Sequence, residues 1–410
     1  MPTFYNYTEG GQTIALDDAF VSADAFRQGN LWGWGRNGLA TLGINNTTSP
    51  ICTPVTTSAG GANWKQIAVN SYAPAAIKTD GTLWTWGTNS WGGVGVNDTN
   101  DRSTPVTTFA GGTNWKQVAC GDFHTAAIKT DGTLWTWGRN VFAQLGINNS
   151  GFPSETQNRP TAVQTFAGGT NWKQVACGAQ HTAAIKTDGT LWTWGYCEYG
   201  QLGINNRPTM ICTPVTTFAG GTNWKQVACG EYYTAAIKTD GTLWTWGQNS
   251  YGQLGINTAS GDITLSKCIP VTTFVGGTNW KQVSCGNKHT ASIKTDGTLW
   301  TWGNNYRGQL GINNTTTPIC TPVTTFAGGT NWKQVAGGGY FTAAIKTDGT
   351  LWTWGQNNFG QLGVNSATIY PSVDNDKRTP VTTFAGGTNW KQVACTDQYT
   401  VAVTYIDDYQ

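Results

Sequence analysis

Charge is scarce in this chain of 410 residues: 24 Lys and Arg stand against 22 Asp and Glu, for a net of +2, and only 11% of positions are charged. The longest basic run is Lys377-Arg378. Such a charge balance gives no electrostatic footprint for nucleic acid, and Lys and Arg never cluster, so no nucleic-acid partner is expected. No apolar stretch approaches the ~20 residues of a membrane-crossing helix, which excludes membrane insertion of that kind. The opening residues, Met1 to Glu9, lack the basic and apolar regions of a secretory signal. The protein is therefore expected in a cytoplasm, or exported by a route it does not advertise. Also missing are a phosphate-binding glycine loop opening a helix, a Cys-x-x-Cys pair and a nucleophile elbow, so no cofactor is expected. Helical periodicity persists nowhere.

What fills the chain is one unit of roughly fifty residues, copied seven times. Its phrase is G-T-N-W-K-Q-V-A-C-G-x-x-H-T-A-A-I-K-T-D-G-T-L-W-T-W-G-x-N-x-x-G-Q-L-G-I-N-N. The first Trp recurs from Trp64 to Trp390, and the paired Trps recur from Trp32/Trp34 to Trp352/Trp354. These positions hold 21 of the 22 Trps; the other is Trp91. Self-similarity at a fixed period signals a repeat architecture.

Each unit reads as four short strands: W-K-Q-V-A-C, T-A-A-I-K-T, L-W-T-W-G and T-P-V-T-T-F. Asp-Gly, as at Asp131-Gly132, joins the second to the third and predicts a type I′ hairpin turn with positive φ at both residues. Four-stranded antiparallel sheets repeated in this way suit an all-β, seven-bladed β-propeller, which leaves only short, protected edges. The small Ala-Ala pair of the second strand suits a crowded place near the axis. The two Trps of L-W-T-W share one face of their strand and suit blade-to-blade packing. The N-terminal end supplies Leu31-Trp32-Gly33-Trp34-Gly35 without a preceding N-W-K strand. The C-terminal end supplies Trp390–Cys395 and Thr400–Thr404 without a following L-W strand. Together they predict one shared blade that closes the ring. Residues 1–20 fall outside the repeat as an arm for docking or oligomerisation. Residues 18–26 resemble an extra strand, and 21–410 form the propeller.

Ten cysteines suggest disulfides, but their placement argues otherwise. Cys120, Cys177, Cys229, Cys285 and Cys395 share a position that is Val69 or Gly337 in the other copies, as expected of a small buried site. Cys52, Cys212, Cys268 and Cys320 share a second position. Cys212–Cys229 and Cys268–Cys285 could lie across a hairpin, although equivalent positions elsewhere lack a partner. Cys197 reads as a lone loop thiol.

The segments Ala119-Cys120-Gly121-x-x-His124-Thr125-Ala126-Ala127-Ile128, Asp131-Gly132-Thr133-Leu134-Trp135-Thr136-Trp137-Gly138 and Asn249-x-x-Gly252-Gln253-Leu254-Gly255 resemble the RCC1-like repeat family over about residues 20–410. The resemblance implies a seven-bladed propeller. That family includes a chromatin-bound exchange factor for a small GTPase, secreted inhibitors of β-lactamase, and repeat proteins of marine bacteriophages. This chain lacks the basic tail of the first and the signal peptide of the second. The near-identity of its units, W-x-W-G-x-N, and the opening Asp17-Asp18-Ala19-Phe20-Val21 look most like the phage proteins.

In such a blade, successive connections alternate between two faces. The Asp-Gly and A-G-G-T-N turns belong to one face and barely change. The other carries two variable windows. The first reads Ser71-Tyr72, Asp122-Phe123, Ala179-Gln180, Glu231-Tyr232, Asn287-Lys288, Gly339-Tyr340 and Asp397-Gln398. The second reads Gly38-Leu39, Ser90-Trp91, Val141-Phe142, Glu198-Tyr199, Ser250-Tyr251, Tyr306-Arg307 and Asn358-Phe359. Aromatic residues with Arg are what binding surfaces favour; the same aromatics can instead serve as blade caps. Trp-to-Trp spacings of 51, 57, 52, 56, 52 and 58 place longer loops near 147–162, 256–270 and 364–380, on the same face.

No catalytic or metal-binding set emerges. His124, His181 and His289 share a position that is Ala73, Tyr233, Phe341 or Tyr399 elsewhere, which no imidazole base requires. Asp98-Thr99-Asn100-Asp101 and Asp374-Asn375-Asp376 do not match the twelve-residue calcium loop. The expectation is a non-enzymatic propeller that binds a protein or glycan on a host surface. In its most concrete form it is a bacteriophage virion component (fibre, appendage or decoration protein), with residues 1–20 contacting other virion proteins. The alternatives are a soluble regulator or enzyme inhibitor, and a lectin.

Overall fold

The computed structural model describes residues 29–148, 158–258, 266–365 and 375–405. The predicted arm, its extra strand, Asp374 and the middles of the three longer loops lie outside them. The described residues form seven four-stranded antiparallel sheets. In the second blade the strands are Trp115–Cys120, His124–Lys129, Leu134–Gly138 and Arg159–Gln164, from the inside outward. The closing blade takes its two inner strands, Trp390–Cys395 and Tyr399–Thr404, from the C-terminal part. Its two outer strands, Leu31–Gly35 and Ile51–Thr56, come from the N-terminal part. The splice pairs Leu31 with Val403 and Gly35 with Tyr399. The fold and its closure are those the repeats predict.

The core lies between blades. Ala126, Ile128 and Leu134 of the second blade pack against Trp172, Val175, Ala184 and Trp194 of the third. Burying one such indole contributes ~4–6 kcal/mol before entropy is counted. The expectation for the Ala-Ala pair needs correcting. The innermost strands line the axis, and the pair sits one strand out. Ala126 and Ala127 face opposite sides of their sheet, each against the Trp-rich cluster on its side. Small side chains there make room for indoles rather than for the axis. Each strand-ending Lys also sits on this packing: Lys186 Nζ lies 4.8 and 4.3 Å from the Trp172 and Trp192 rings.

Two hydrogen-bonded belts join the blades. The Gln of each W-K-Q reaches the next blade, where Gln66 Nε2 donates to Val118 O (3.2 Å) and Gln66 Oε1 accepts from Val118 N (3.0 Å). The pattern repeats through Gln117, Gln174, Gln226, Gln282 and Gln334 and closes at Gln392 with Ile67. A channel-lining strand is a sheet edge with unpaired backbone groups, and these carboxamides cover it. The second belt runs from the second Trp of each pair to a loop carbonyl of the preceding blade, as in Trp194 Nε1 to Gln144 O at 2.9 Å.

The Asp-Gly turn differs from the type I′ expectation. Gly132 has φ +79°, while its Asp is not left-handed. Gly132 N donates to Lys129 O and Lys129 N to Thr133 O, so the loop is the three residues Thr130-Asp131-Gly132. This is a type I turn followed by a left-handed Gly. Asp131 Oδ1 accepts from both the N–H and the hydroxyl of Thr133 (2.9 and 2.7 Å), which is why Asp recurs.

Candidate binding face

The variable loop is held by recurrent residues around its tip. In the second blade Asn140 Oδ1 accepts from Leu145 N, Thr136 Oγ1 donates to Leu145 O, and Gln144 Oε1 accepts from Phe142 N (3.0, 2.8 and 2.9 Å). The same Gln clamp holds the backbone of Tyr199, Tyr251, Arg307 and Phe359. A rigid base thus presents whichever side chain occupies the tip.

The structure brings both windows together. Tyr72 stacks on Phe123 (4.7 Å between centroids), and Trp91 meets both rings edge-on. The Arg139 guanidinium lies 5.2–5.9 Å from Phe123, Trp91 and Phe142. The row continues from Phe142 through Tyr196 to Tyr199 and Tyr232. Further round, Tyr251 lies between Lys288 Nζ and Tyr306, and Phe359 lies under Arg36. Arg307 pairs with Asp376 at 3.4 Å. Tyr306 is 61% exposed; Trp91, Phe142, Tyr199, Tyr251, Phe359, Tyr72, Phe123, Tyr232 and Tyr340 are half-buried. Most of these rings therefore support each other and show solvent only part of their surface.

Tyr196, Arg139 and Arg36 were missed as site residues. All occupy the x of W-G-x-N, a third variable position that also holds Thr88, Gln248, Asn304 and Gln356. The signal lay two positions before the second window. Cys197, expected as a loop thiol, is fully buried in the seat that Asn occupies in the other copies.

Behind the face, Asp122, Glu231 and Asp397 converge on the channel mouth, where they line one open cavity. Burial pushes the Asp122 carboxyl up to about 7, helped by the charges of Asp397 and Glu231. Burial also raises Glu231, against Lys288 at 3.9 Å, and raises Asp397, against hydrogen bonds from Asn287 and Ser71. The three histidines are fully buried. Thr182 Oγ1 donates to Gln144 O, so it accepts from His124 Nε2–H at 2.9 Å. His181 and His289 repeat the link to Thr234 and Thr342. Burial holds all three imidazoles down at about 3 and therefore neutral; for His124 the nearby His181 adds to the effect. At the equivalent position Tyr233 instead donates to His289 O.

All ten thiols are free. Cys212 lies on an outermost strand, whereas Cys229 lines the channel on the innermost strand of the next blade, so the pair does not span a hairpin. Cys268 and Cys285 repeat that separation. The repeated position of Cys120, expected as a buried site, faces the channel and keeps partial exposure. Burial in the wall pushes the Cys120 and Cys285 thiols up to about 12. Asp98 pairs with Arg102 at 2.6 Å, and Asp376 Oδ1 accepts from Asn357 N. Among the described residues no group of three or more His, Cys, Asp or Glu could hold a metal ion.

The constant face holds two features the sequence reading passed over. Phe109, Phe166, Phe218, Phe274, Phe326 and Phe384 stand 60–66% exposed at one repeat position, which is Ser58 in the closing blade. The Lys of each W-K-Q opens a channel-lining strand at its constant-face end, so lysines that never cluster in sequence become neighbours in space, as Lys173, Lys225 and Lys281 do.

A family model for the RCC1-like domain matches residues 19–317 and, in an overlapping placement, 112–408. The ultraviolet-B receptor UVR8 of Arabidopsis thaliana is 34% identical over 288 residues, which are 70% of this chain and 63% of the receptor. An X-linked retinitis pigmentosa GTPase regulator homolog of Caenorhabditis elegans is 29% identical over 344 residues, 74% of this chain and 24% of the regulator. The chain thus spans less than two thirds of the length of these curated relatives. The solved structure of Prp20p from Saccharomyces cerevisiae superposes with a TM-score of 0.78 at 20% identity, covering 93% of both chains. Human WBSCR16 gives the same score and identity over 92% of this chain and 100% of its own. At such identity these structures establish the fold alone. Seven blades, the terminal splice and the family match over most of the sequence agree: the chain belongs to the RCC1-like domain family.

Proposed function

We propose that this propeller is a non-enzymatic binding module that recognises a protein partner through its variable face. The observation that carries this reading is the set of aromatic groups beside Arg139, Lys288 and Arg36, on loops whose tips are held by a Gln clamp. Rigid aromatics with adjacent cations bind at low entropic cost. Similar proteins point the same way: Prp20p binds Gsp1p and histones, and yeast RCC1 (Prp20) is bound by Kap60. A variant with Trp91, Phe142, Tyr199, Tyr251, Tyr306 and Phe359 changed to Ser tests the reading. Affinity capture by wild type, with the folded variant as control, is expected to retain a partner that the variant loses. Equal capture by both makes the rings blade caps and ends the proposal.

The finer setting proposed is a bacteriophage virion component that meets a protein or glycan of the host surface, with residues 1–20 docking to the particle. The near-identity of the units and the resemblance to phage repeat proteins support it. Co-purification with particles is the expected result; a single soluble partner and no particle association would replace it with the regulator or inhibitor reading.

A further inference from the structure

Every innermost strand opens Trp-Lys-Gln, and every one shifts register between the Trp and the Gln. Trp224 pairs with Lys238 and Gln226 with Ile237, which leaves Lys225 on a bulge. The same shift recurs at Lys65, Lys116, Lys173, Lys281, Lys333 and Lys391. A bulge re-aims a side chain. Here the flanking Trp is buried between blades and the Gln is bonded to the next blade, so the Lys alone is turned out of the packing. These strands line the channel, and the lysines form a ring of seven at the mouth opposite Asp122, Glu231 and Asp397. Burial lowers the Lys225 ammonium, and the neighbouring charges of Lys281 and Lys173 lower it further, as mutual repulsion requires. None of Lys65, Lys116, Lys173, Lys225 and Lys281 forms an ion pair with a described residue.

One segment of the chain already stands at this ring. Tyr405 N donates to Asn389 O (2.7 Å), Asn389 Nδ2 donates to Tyr405 O (3.0 Å), and the Tyr405 ring lies 5.8 and 5.6 Å from Lys333 Nζ and Lys391 Nζ. The residues that follow are Ile406, Asp407, Asp408, Tyr409 and Gln410. At ~3.5 Å of reach per residue, the chain from Tyr405 to Asp408 spans at most about 11 Å.

We propose that the lysine ring is a binding site for an acidic peptide segment and that residues 406–410 of this chain are its intramolecular occupant. A tethered segment acts at an effective concentration on the order of millimolar, so it shields the ring from weaker free anions. Concentrated positive charge at one mouth gives the site its affinity and makes it sensitive to salt. The proposal is independent of the variable-face reading, which concerns the other end of the channel.

The test uses fluorescein-labelled octa-aspartate as the probe, followed by anisotropy at low ionic strength and again in about 0.5 M salt. The full-length D407N/D408N variant is expected to bind it roughly tenfold more tightly than wild type, with the gain abolished by salt. Adding K65Q, K116Q, K173Q and K225Q is expected to remove that binding, with circular dichroism to show the fold. If the quadruple change unfolds the chain, K173Q/K225Q in its place is expected to weaken binding several-fold. Equal affinity of wild type and D407N/D408N would overturn the intramolecular occupant. Binding that ignores the lysine changes, or no binding at all, would overturn the site. The six-aromatic variant is expected to bind the probe as its parent does, which separates failure here from failure of the proposed function.

Discussion

On the constant face, each Thr-Asp-Gly turn carries a left-handed glycine whose added Cβ would come about 2 Å from a neighbouring carbonyl, as Gly189 would from Thr222 O. On the variable face, the corresponding tips hold Trp91, Phe142, Tyr199, Tyr251, Tyr306 or Phe359 on a largely repeated base. The same repeat therefore forbids change at one end of the channel and accepts it at the other. The difference lies in where the next blade begins. Constant turns are seats for it: Trp224 N donates to Gly189 O at 3.0 Å. The backbones of Phe142, Tyr199, Tyr251, Arg307 and Phe359 are instead held by a Gln of their own loop. Titration divides in the same way. Hydrogen bonds from the following Thr, its hydroxyl first and then its N–H, hold Asp131, Asp188, Asp240, Asp296 and Asp348 below the usual carboxylate range. Burial holds Asp122, Glu231 and Asp397 above it.

The largest expected effect tests the titration contrast. Each buried histidine has a folded pKa of about 3, below its unfolded value, so stability is intact above about pH 6.5 and falls as pH drops towards 3. At pH 5 this amounts to roughly 2 kcal/mol per histidine. Asp122, raised to about 7, works oppositely and contributes stability as pH falls from 7 towards 4. The H124F/H181F/H289F variant, which borrows the residue of Phe341, is expected to lose far less stability than wild type between pH 7 and 5. Thermal melts across that range check it; parallel curves would mean the histidines are not buried neutral.

Gly189→Ala tests the constant turns. A left-handed Ala (~1–2 kcal/mol) and a clash at 2.0 Å together cost about 3 kcal/mol or more, read as a lowered urea midpoint. Gln174→Leu breaks one link of the inner belt and strips partners from Val227 N–H and C=O, for about 2 kcal/mol by the same measurement. Phe142→Ser on the variable face is expected to cost roughly 1 kcal/mol, since its ring is half-buried against Tyr196 and Arg139. Equal costs for Phe142→Ser and Gly189→Ala would dissolve the contrast between the faces.

The blade, its four strands and the shared closing sheet were legible because Trp pairs, Asp-Gly turns and truncated end units mark them directly. Turn type was not, because the dipeptide is common to two- and three-residue loops and the strand register decides between them. The place of Ala126-Ala127 was misjudged because small side chains suit an axis and an indole-packed interface equally well. The Gln belt was invisible until the innermost strand was known to be an edge in need of cover. The lysine ring hid for a related reason: one Lys per unit is no cluster in a linear sequence, and only sevenfold rotation brings the copies together. The aromatic tips were legible by comparing copies; Tyr196 and Arg139 needed the same comparison at one more position.

The terminal splice has a consequence in time. Leu31–Gly35 and Ile51–Thr56 are made before all the other described strands, yet their inner partners, Trp390–Cys395 and Tyr399–Thr404, are made after them. At ~5–20 residues per second of synthesis, the early pair waits roughly 20–70 s with an open edge and an unpartnered indole. For that interval the growing chain is an open, Trp-lined arc, and a ribosome that stalls before Trp390 leaves it so.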